Sequence, residues 1–490
     1  MTTPETHGNA LSIRTRHDTA RGLAVLCPEL CSYPASSLVE QIATGRISAT
    51  DVVEAHIAWI AASDDVLRSF MTVTAEEARQ AAAHADCRVR GGERLPLLGI
   101  PFAVKDLTAT AGVRTTFGSL AYKDHVPALD ELCVARLKDA GAVLLGKTNT
   151  PEFGFGARCL NPLQGPTANP HAPTLTSGGS SGGSASAVAA GQVSIAHGTD
   201  FGGSVRTPAA FCGTVAIRPT PGLIPNPSRS LPFDTLATHG VVTRTVDDAS
   251  LMLSVMIGCD PYDPTSRLPG PELEPELDIR DIRVAVSTDF GFAPMASAIA
   301  EAFGEAIGVV ARRLSKVTSA HPDCSGAKET FENLRAATIF HNLKHLLDTD
   351  ILTPTVRWNA ERGRTISAEQ FLAAEASRGG LIRRFVDFFR DHDVLITPAA
   401  SILPFPNTQD EVRDIDGKPV DNILDYLAVT YVVSLVGFPA IVIPAWMSPS
   451  GLPIGLQIIA PPLEEGRLIA LARWLEHELG FRHRLPAICR

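Results

Sequence analysis

Three short segments hold serines and a lysine of the types and spacing that acyl transfer needs: Ser204 in GTDFGGSVRTPA, Ser180 and Ser181 in SGGSSGG, and Lys105 at the end of GIPFAVKD. Attack on an acyl carbon requires a hydroxyl on a tight turn, a base to take its proton, and backbone N–H groups aimed at the developing oxyanion. Gly202 and Gly203 allow such a turn ahead of Ser204, with the amides of residues 201 to 204 facing the same way. His197 and Asp200 lie within seven residues of Ser204, but three triad members seldom converge from one short segment, because each approaches from a different side. No G-x-S-x-G elbow surrounds Ser204 either. A lysine can act as the base only when neutral, and a solvated lysine, with a pKa of about 10.4, is almost wholly charged near neutrality. Burial lowers that value. Lys105 closes an apolar run and is the lysine whose local sequence predicts burial; Lys147 in LLGKTN ranks second, and Lys138 sits on a charged helix face. An anion-cradling loop before a helix would leave Lys105 unexplained and lacks the G-x-x-x-x-G-K-[ST] pattern.

These residues must be held by buried elements. By composition SGGSSGG is a flexible linker, yet it runs directly into the small apolar stretch 185–190, which reads as a buried helix. LPLLGIPFAVKDL reads as a buried strand ending at Lys105 and Asp106. ELCVARLKDAGAVLLGKTN reads as a helix stopped at Gly141 and then a strand, and ISAEQFLAAEASRGGLIRRFVDFFRDHDVLITP repeats helix then strand. Ahead of them SSLVEQIATGR, DVVEAHIAWIAASDD with Ser48 and Thr50 as candidate N-caps, and EEARQAAAHADCRV form a helical layer. The C-terminal part continues with YLAVTYVVSLVGFPAIVIPAW, GLPIGLQIIAPP and a closing helix, EEGRLIALARWLEHELG. This alternation predicts an α/β fold with a substantially parallel sheet. Residues 1–34 are polar and without period, and read as a surface extension; 260–275 and 403–420 read as loops.

Composition narrows the function. The 490 residues are 45% apolar and 20% charged, which fits a globular chain. Forty-three basic against fifty-three acidic residues give a formal charge of −10 without a Lys/Arg block, which argues against nucleic acid as a partner. No apolar run has the length of a membrane span and no signal core opens the chain, so the expectation is a cytoplasmic protein without a membrane partner. The nine cysteines are scattered, without a CxxC pair. Cys27 and Cys31 are half of a zinc spacing with no second half, so no metal and no cofactor is expected.

The segment 178–213, GGSSGGSASAVAAGQVSIAHGTDFGGSVRTPAAFCG, resembles the signature of the amidase signature family of serine hydrolases. GIPFAVKD, GKTNTPEFGFG, NPLQGPTANP, GFPAIVIPA and GLPIGLQII resemble further blocks of that family, from about residue 36 to the end. The resemblance implies an α/β amidase signature fold, with a large mixed, mostly parallel sheet covered by helices on both faces, over residues 35–490. It implies a triad of Lys105, Ser180 and Ser204, with a cis peptide before Ser180, Ser204 as nucleophile, and a proton relay from Ser204 through Ser180 to Lys105. Phe201, Gly202 and Gly203, with Ser204 itself, would supply the oxyanion-hole amides. Ser181 would bond within the loop and border the substrate pocket, and Thr199, Asp200 and Arg206 would support the loop. Phe155, Arg158 and Cys159, in a stretch that borders the acyl pocket in this family, would line the substrate pocket; an aromatic and a guanidinium there suit an aryl substrate or one with a carboxylate. Phe117 and Phe153, TPAASILPFP and the 426–431 segment would complete that setting.

The implied activity is hydrolysis of small-molecule amides, with aryl amides, anilides or carbamates (urethanes) favoured, by a free-standing enzyme, a homodimer before a monomer. One alternative is the glutaminase subunit of a tRNA-dependent amidotransferase, from which the 214–240 stretch departs in text. The other is an inactive scaffold, against which the presence of Lys105, Ser180 and Ser204 counts.

Overall fold

The computed structural model describes residues 29–266, 270–481, 483 and 485–486. The extension expected over 1–34 therefore lies almost entirely outside the described residues, as does Cys27. Eleven strands form one sheet: β1 (Phe70–Val73), β2 (Pro101–Lys105), β3 (Val143–Thr148), β4 (Ile195–Asp200), β5 (Val215–Arg218), β6 (Thr238–Thr243), β7 (Val284–Val286), β8 (Val317–Ser319), β9 (Val394–Pro398), β10 (Ala440–Met447) and β11 (Pro453–Ile459). Their spatial order is β1-β3-β2-β4-β6-β5-β10-β11-β9-β7-β8.

The expected α/β class and large mixed sheet are present. Parallel pairing occupies two blocks, β3-β2-β4 and β9-β7-β8, while the centre from β4 to β9 and the β1 edge are antiparallel. The parallel share is thus smaller than expected, because β5 to β6 and β10 to β11 return directly beside themselves and need no crossover helix.

Helices flank the sheet: α1 (Ala35–Ala43), α2 (Ala49–Leu67), α3 (Ala75–Arg90), α4 (Leu132–Asp139), α5 (Gly182–Ala189), α6 (Arg206–Cys212), α7 (Val246–Met256), α8 (Ser297–Arg313), α9 (Ala327–Leu343), α10 (Pro354–Arg364), α11 (Ala368–Asp391), α12 (Ala428–Val436) and α13 (Glu465–Glu478). Ser48 caps α2 in a box with Asp51, its Oγ accepting the Asp51 amide at 2.9 Å. Thr50 lies inside that helix, and its hydroxyl donates to Asp86 Oδ2 at 2.6 Å. The carboxylate of Asp86 also accepts the amides of Ala49 and Thr50, so an anion closes the positive end of α2.

Two features position the site. The run PFAVK is buried at all five positions, as a parallel strand covered on both sides must be. In register, β2 lies beside β4, with Val104 opposite His197, so Lys105 reaches the sheet edge at which β4 also ends. A second apolar cluster joins α9, α11 and α12 through Phe331, Leu334, Phe385, Tyr431 and Phe438, and forms the far wall above that edge. No helix among the described residues is long and apolar enough to cross a membrane.

Candidate active site

Lys105 is fully buried at the end of β2. Its Nζ is 2.6 Å from Ser180 Oγ, 2.9 Å from Ser181 Oγ and 2.9 Å from Thr199 Oγ1. Three hydroxyls suit a neutral amine, which has two N–H donors and one lone pair, and none of them is an anion that would hold the proton on. Burial pushes the amine down to about 7, against a smaller upward pull from Cys159 and Asp200. Lys147, the second-ranked lysine, is also buried but faces away: it donates to the Thr108 carbonyl and to Thr115 Oγ1, with Asp106 at 3.9 Å.

Ser177 to Gly183 are buried throughout, so the Gly/Ser run is no linker. The Gly179–Ser180 peptide is cis. A Cβ on Gly179 would stand 2.1 Å from the Gly156 carbonyl oxygen, so only glycine lets the loop approach that close. The Ser181 amide donates to the Ser204 carbonyl at 2.9 Å, tying the loop to the turn that carries the second serine. α5 then begins at Gly182 with every residue buried, which explains its small apolar sequence.

The Ser204 turn is built around Asp200. Its carboxylate accepts the Gly203 amide at 2.9 Å and the Val205 amide at 3.1 Å, and pairs with Arg206 Nη2 at 2.8 Å and Nε at 3.1 Å. Arg206 spends its remaining donors on the Thr430 carbonyl, Gln457 Oε1 and Ser434 Oγ, so its fork is fully satisfied. Burial raises the Asp200 carboxyl, but Arg206 and Arg218 together hold it well below the ordinary carboxylate range. Gly203, at φ 122°, leaves no room for a Cβ, which would stand 2.3 Å from Thr430 Oγ1. One expectation changes here. The Gly203 amide is bonded to Asp200 and holds the loop, whereas the amides of Phe201, Gly202 and Ser204 have no hydrogen-bond partner among the described residues. Those three are the donors available to an oxyanion. Ser204 Oγ likewise has no partner there, and the serine is partly exposed at the cleft.

That cleft is lined by Phe155, Phe201, Phe331, Arg335, Tyr426 and Leu427 around Ser204. It holds about 50 Å³ of open space, room for a few waters, so a substrate must spread its walls. A wider groove of about 620 Å³, lined by Phe292, His321, Lys328 and Glu329, contains none of Lys105, Ser180 or Ser204.

Of the expected pocket residues, Phe155 is in the cleft. Arg158 is not: its Nη1 donates to the Asn407 carbonyl at 2.5 Å and its Nη2 pairs with Asp410 at 2.8 Å. Those two acceptors pull it off the cleft wall. Cys159 is fully buried behind Gly182, and burial raises its thiol to about 11. Ser181 belongs to the Lys105 network instead of the pocket. Phe117 and Phe153 pack on Tyr122, at 5.1 and 6.0 Å between ring centroids. From TPAASILPFP, Phe405 accepts the Thr176 amide through its carbonyl and braces the loop from outside. The guanidinium of the cleft is Arg335 on α9, which the sequence reading missed. A signal existed: Phe331, Arg335 and Ile339 recur every four residues, placing an arginine in the buried stripe of a helix.

Cys133, His197 and His239 offer ligand atoms within 4.8 Å of one another. His197 Nε2 and His239 Nδ1 are 3.0 Å apart, which commits His197 to His239 and not to Ser204. Burial pushes both imidazoles down and the Cys133 thiol up.

A buried lysine among hydroxyls thus lies beside a serine turn with unbonded amides, where neighbouring strands of the mixed sheet end. The family model for amidases matches residues 51–469, and the chain belongs to the amidase signature family of amide-hydrolysing enzymes. It is 33% identical to an acylamidase of Rhodococcus erythropolis, over 92% of this chain and 97% of that protein. It is also 33% identical to a subunit of the glutamyl-tRNA(Gln) amidotransferase of Roseiflexus sp. (strain RS-1), over 91% and 96%. Among solved structures a bacterial aryl acylamidase of the same family superposes with a TM-score of 0.86 at 28% identity, covering 93% of this chain and 98% of that one.

Proposed function

We propose that this chain is a free-standing hydrolase of aryl amides, anilides above all, with aryl carbamates as related substrates, acting through an acyl-enzyme on Ser204; residues 35–490 make up the catalytic domain and 1–34 an extension. The observation that carries the reading is a buried amine with a lowered pKa, 2.6 Å from Ser180, on a loop bonded to the Ser204 turn. The neutral Lys105 takes a proton from Ser180, Ser180 takes one from Ser204 once the unpartnered Ser204 side chain turns to donate to it, and Ser204 Oγ bonds to the amide carbon. The oxyanion accepts hydrogen bonds from the amides of Phe201, Gly202 and Ser204. Collapse breaks the C–N bond while the proton returns through Ser180 to the leaving nitrogen. Water, deprotonated by the same relay, then releases the acid and frees Ser204. Aromatic walls at Phe155, Phe201 and Phe331, together with the likeness to acylamidases, support an aryl substrate.

The second reading, a glutamine-hydrolysing component that acts with partners, is favoured by the equal identity to the amidotransferase relative. Against it, no Asp or Glu among the described residues lines the cleft to receive glutamine's ammonium group. Mass spectrometry of the enzyme quenched during turnover of acetanilide and of glutamine separates the two. Acetylated Ser204, with no turnover of glutamine, is the expected result; glutamine turnover without anilide turnover would replace the first reading by the second.

A further inference from the structure

Among the described residues, the buried Arg206, Arg218 and Arg378 each have a carboxylate nearby, and Arg244 donates to three backbone carbonyls. Arg206 and Arg218 share Asp200. Arg378 has the Leu435 carbonyl, Thr235 Oγ1 and Glu375 at 3.7 Å. Arg335 differs. It is 8% exposed, and its Nη1 donates to Asn359 Oδ1, a neutral acceptor, at 2.5 Å. Its Nε and Nη2 donate to nothing among the described residues, and no carboxylate lies within ion-pair distance of it. Glu332, one turn back on α9, is held by Arg362 at 3.2 Å. The guanidinium instead lies over the Phe155 ring, 5.4 Å from its centroid.

Tyr426 also lines this cleft, and its buried hydroxyl, which feels the charges of Glu411 and Arg158, has no hydrogen-bond partner among the described residues. Burial keeps that phenol protonated, so it can donate. Burying a cation without an anion, and a hydroxyl without an acceptor, costs folding free energy that a ligand can return by supplying both acceptors.

We infer that Arg335, with Tyr426, is a specificity-determining residue that binds a carboxylate carried by the amide substrate. The planar fork of an arginine matches a carboxylate in a way a lysine does not. The absence of an acidic lining residue selects a simple anion over a zwitterion such as glutamine. The carboxylate can sit on the acyl side or the amine side of the scissile bond, since both share this cleft. The inference rests on the proposal that Ser204 is the nucleophile opening onto it.

The test pairs each carboxylated anilide with a neutral isostere, using the full chain. Succinanilate against 4-oxopentananilide examines the acyl side, and 4-acetamidobenzoate against 4-acetamidoacetophenone the amine side. One pair should show a preference for the carboxylate of about ten- to a hundredfold in kcat/KM, the scale of a charge-assisted hydrogen bond, expressed chiefly in KM. Arg335→Gln should bring that ratio close to one, and Tyr426→Phe should reduce it less. Equal kcat/KM within both pairs for the wild type, or an unchanged ratio in Arg335→Gln, would overturn the inference. Because Arg335 also joins α9 to α10 through Asn359, a measurement on the wild type alone is added: succinate, but not succinamide, should slow fluorophosphonate labelling of Ser204. Labelling that proceeds with no difference between the two would count against the carboxylate site. Absence of labelling at Ser204 would instead overturn the assignment of the nucleophile.

Discussion

Lys105 and Lys147 stand on neighbouring parallel strands, with Val104 in register opposite Lys147, and both side chains are fully buried. Burial lowers both amines, to about 7 and about 8. Their partners differ in kind. Lys105 has the hydroxyls of Ser180, Ser181 and Thr199 and, at 3.5 Å, the Thr199 carbonyl, whereas Lys147 has a carbonyl, one hydroxyl and the carboxylate of Asp106 at 3.9 Å. Desolvation alone therefore does not make a base. A hydroxyl can pass a proton on, whereas a carboxylate holds the ammonium in place. In this account Lys105 is the reactive member of the pair and Lys147 a brace between β3 and the loop after β2.

The strongest way to break that contrast is to remove each amine. Lys105→Ala and Ser204→Ala should each lower kcat by about a thousandfold or more, and the double variant should be little worse than Ser204→Ala, as for parts of one unit. Lys147→Met should keep kcat within about tenfold while costing about 3–5 kcal/mol in a denaturant titration, because Asp106 is left buried without its cation. Loss of turnover in a folded Lys147→Met protein would reverse the two roles.

A finer difference lies in how stability depends on pH. Unfolded, Lys105 keeps its proton up to its ordinary value of 10.5; folded, it gives it up near 7. Between those values the unfolded chain binds more protons, so stability rises with pH through that window. Lys105→Met should flatten the rise in Tm measured between pH 7 and 9. Least affected should be Arg158→Ala. Its partner Asp410 has a side chain 95% exposed and both residues stand outside the cleft, so kcat/KM on anilides should change by less than about twofold, as for most solvent-screened pairs.

The Lys105 environment was legible in the sequence because a continuous apolar strand announces burial on both faces. The serine loop was legible because glycines cluster where backbones meet, as Gly179 does at Gly156. What escaped was set by contacts between distant segments. The family resemblance sets the stretch holding Arg158 beside the acyl pocket, but the place of its side chain is fixed by the Asn407 carbonyl and Asp410, some 250 residues further on. Arg335 enters the cleft on a helix with no motif, and only the packing of α9 against α12, where Phe331 stacks on Tyr431 at 4.4 Å, brings it there. The amide of Gly203 looked like its neighbours in sequence; the carboxylate of Asp200 claims it because the turn folds back within three residues.

The most direct test of the central claim is the rate at which a fluorophosphonate labels Ser204, followed from pH 5.5 to 9.5 in the wild type and in Lys105→Ala. Wild-type labelling is expected to climb through an inflection near 7, as Lys105 loses its proton, and the variant to label slowly at every pH without that inflection. An inflection near 7 that survives in Lys105→Ala, or wild-type labelling that is flat across this range, would contradict it.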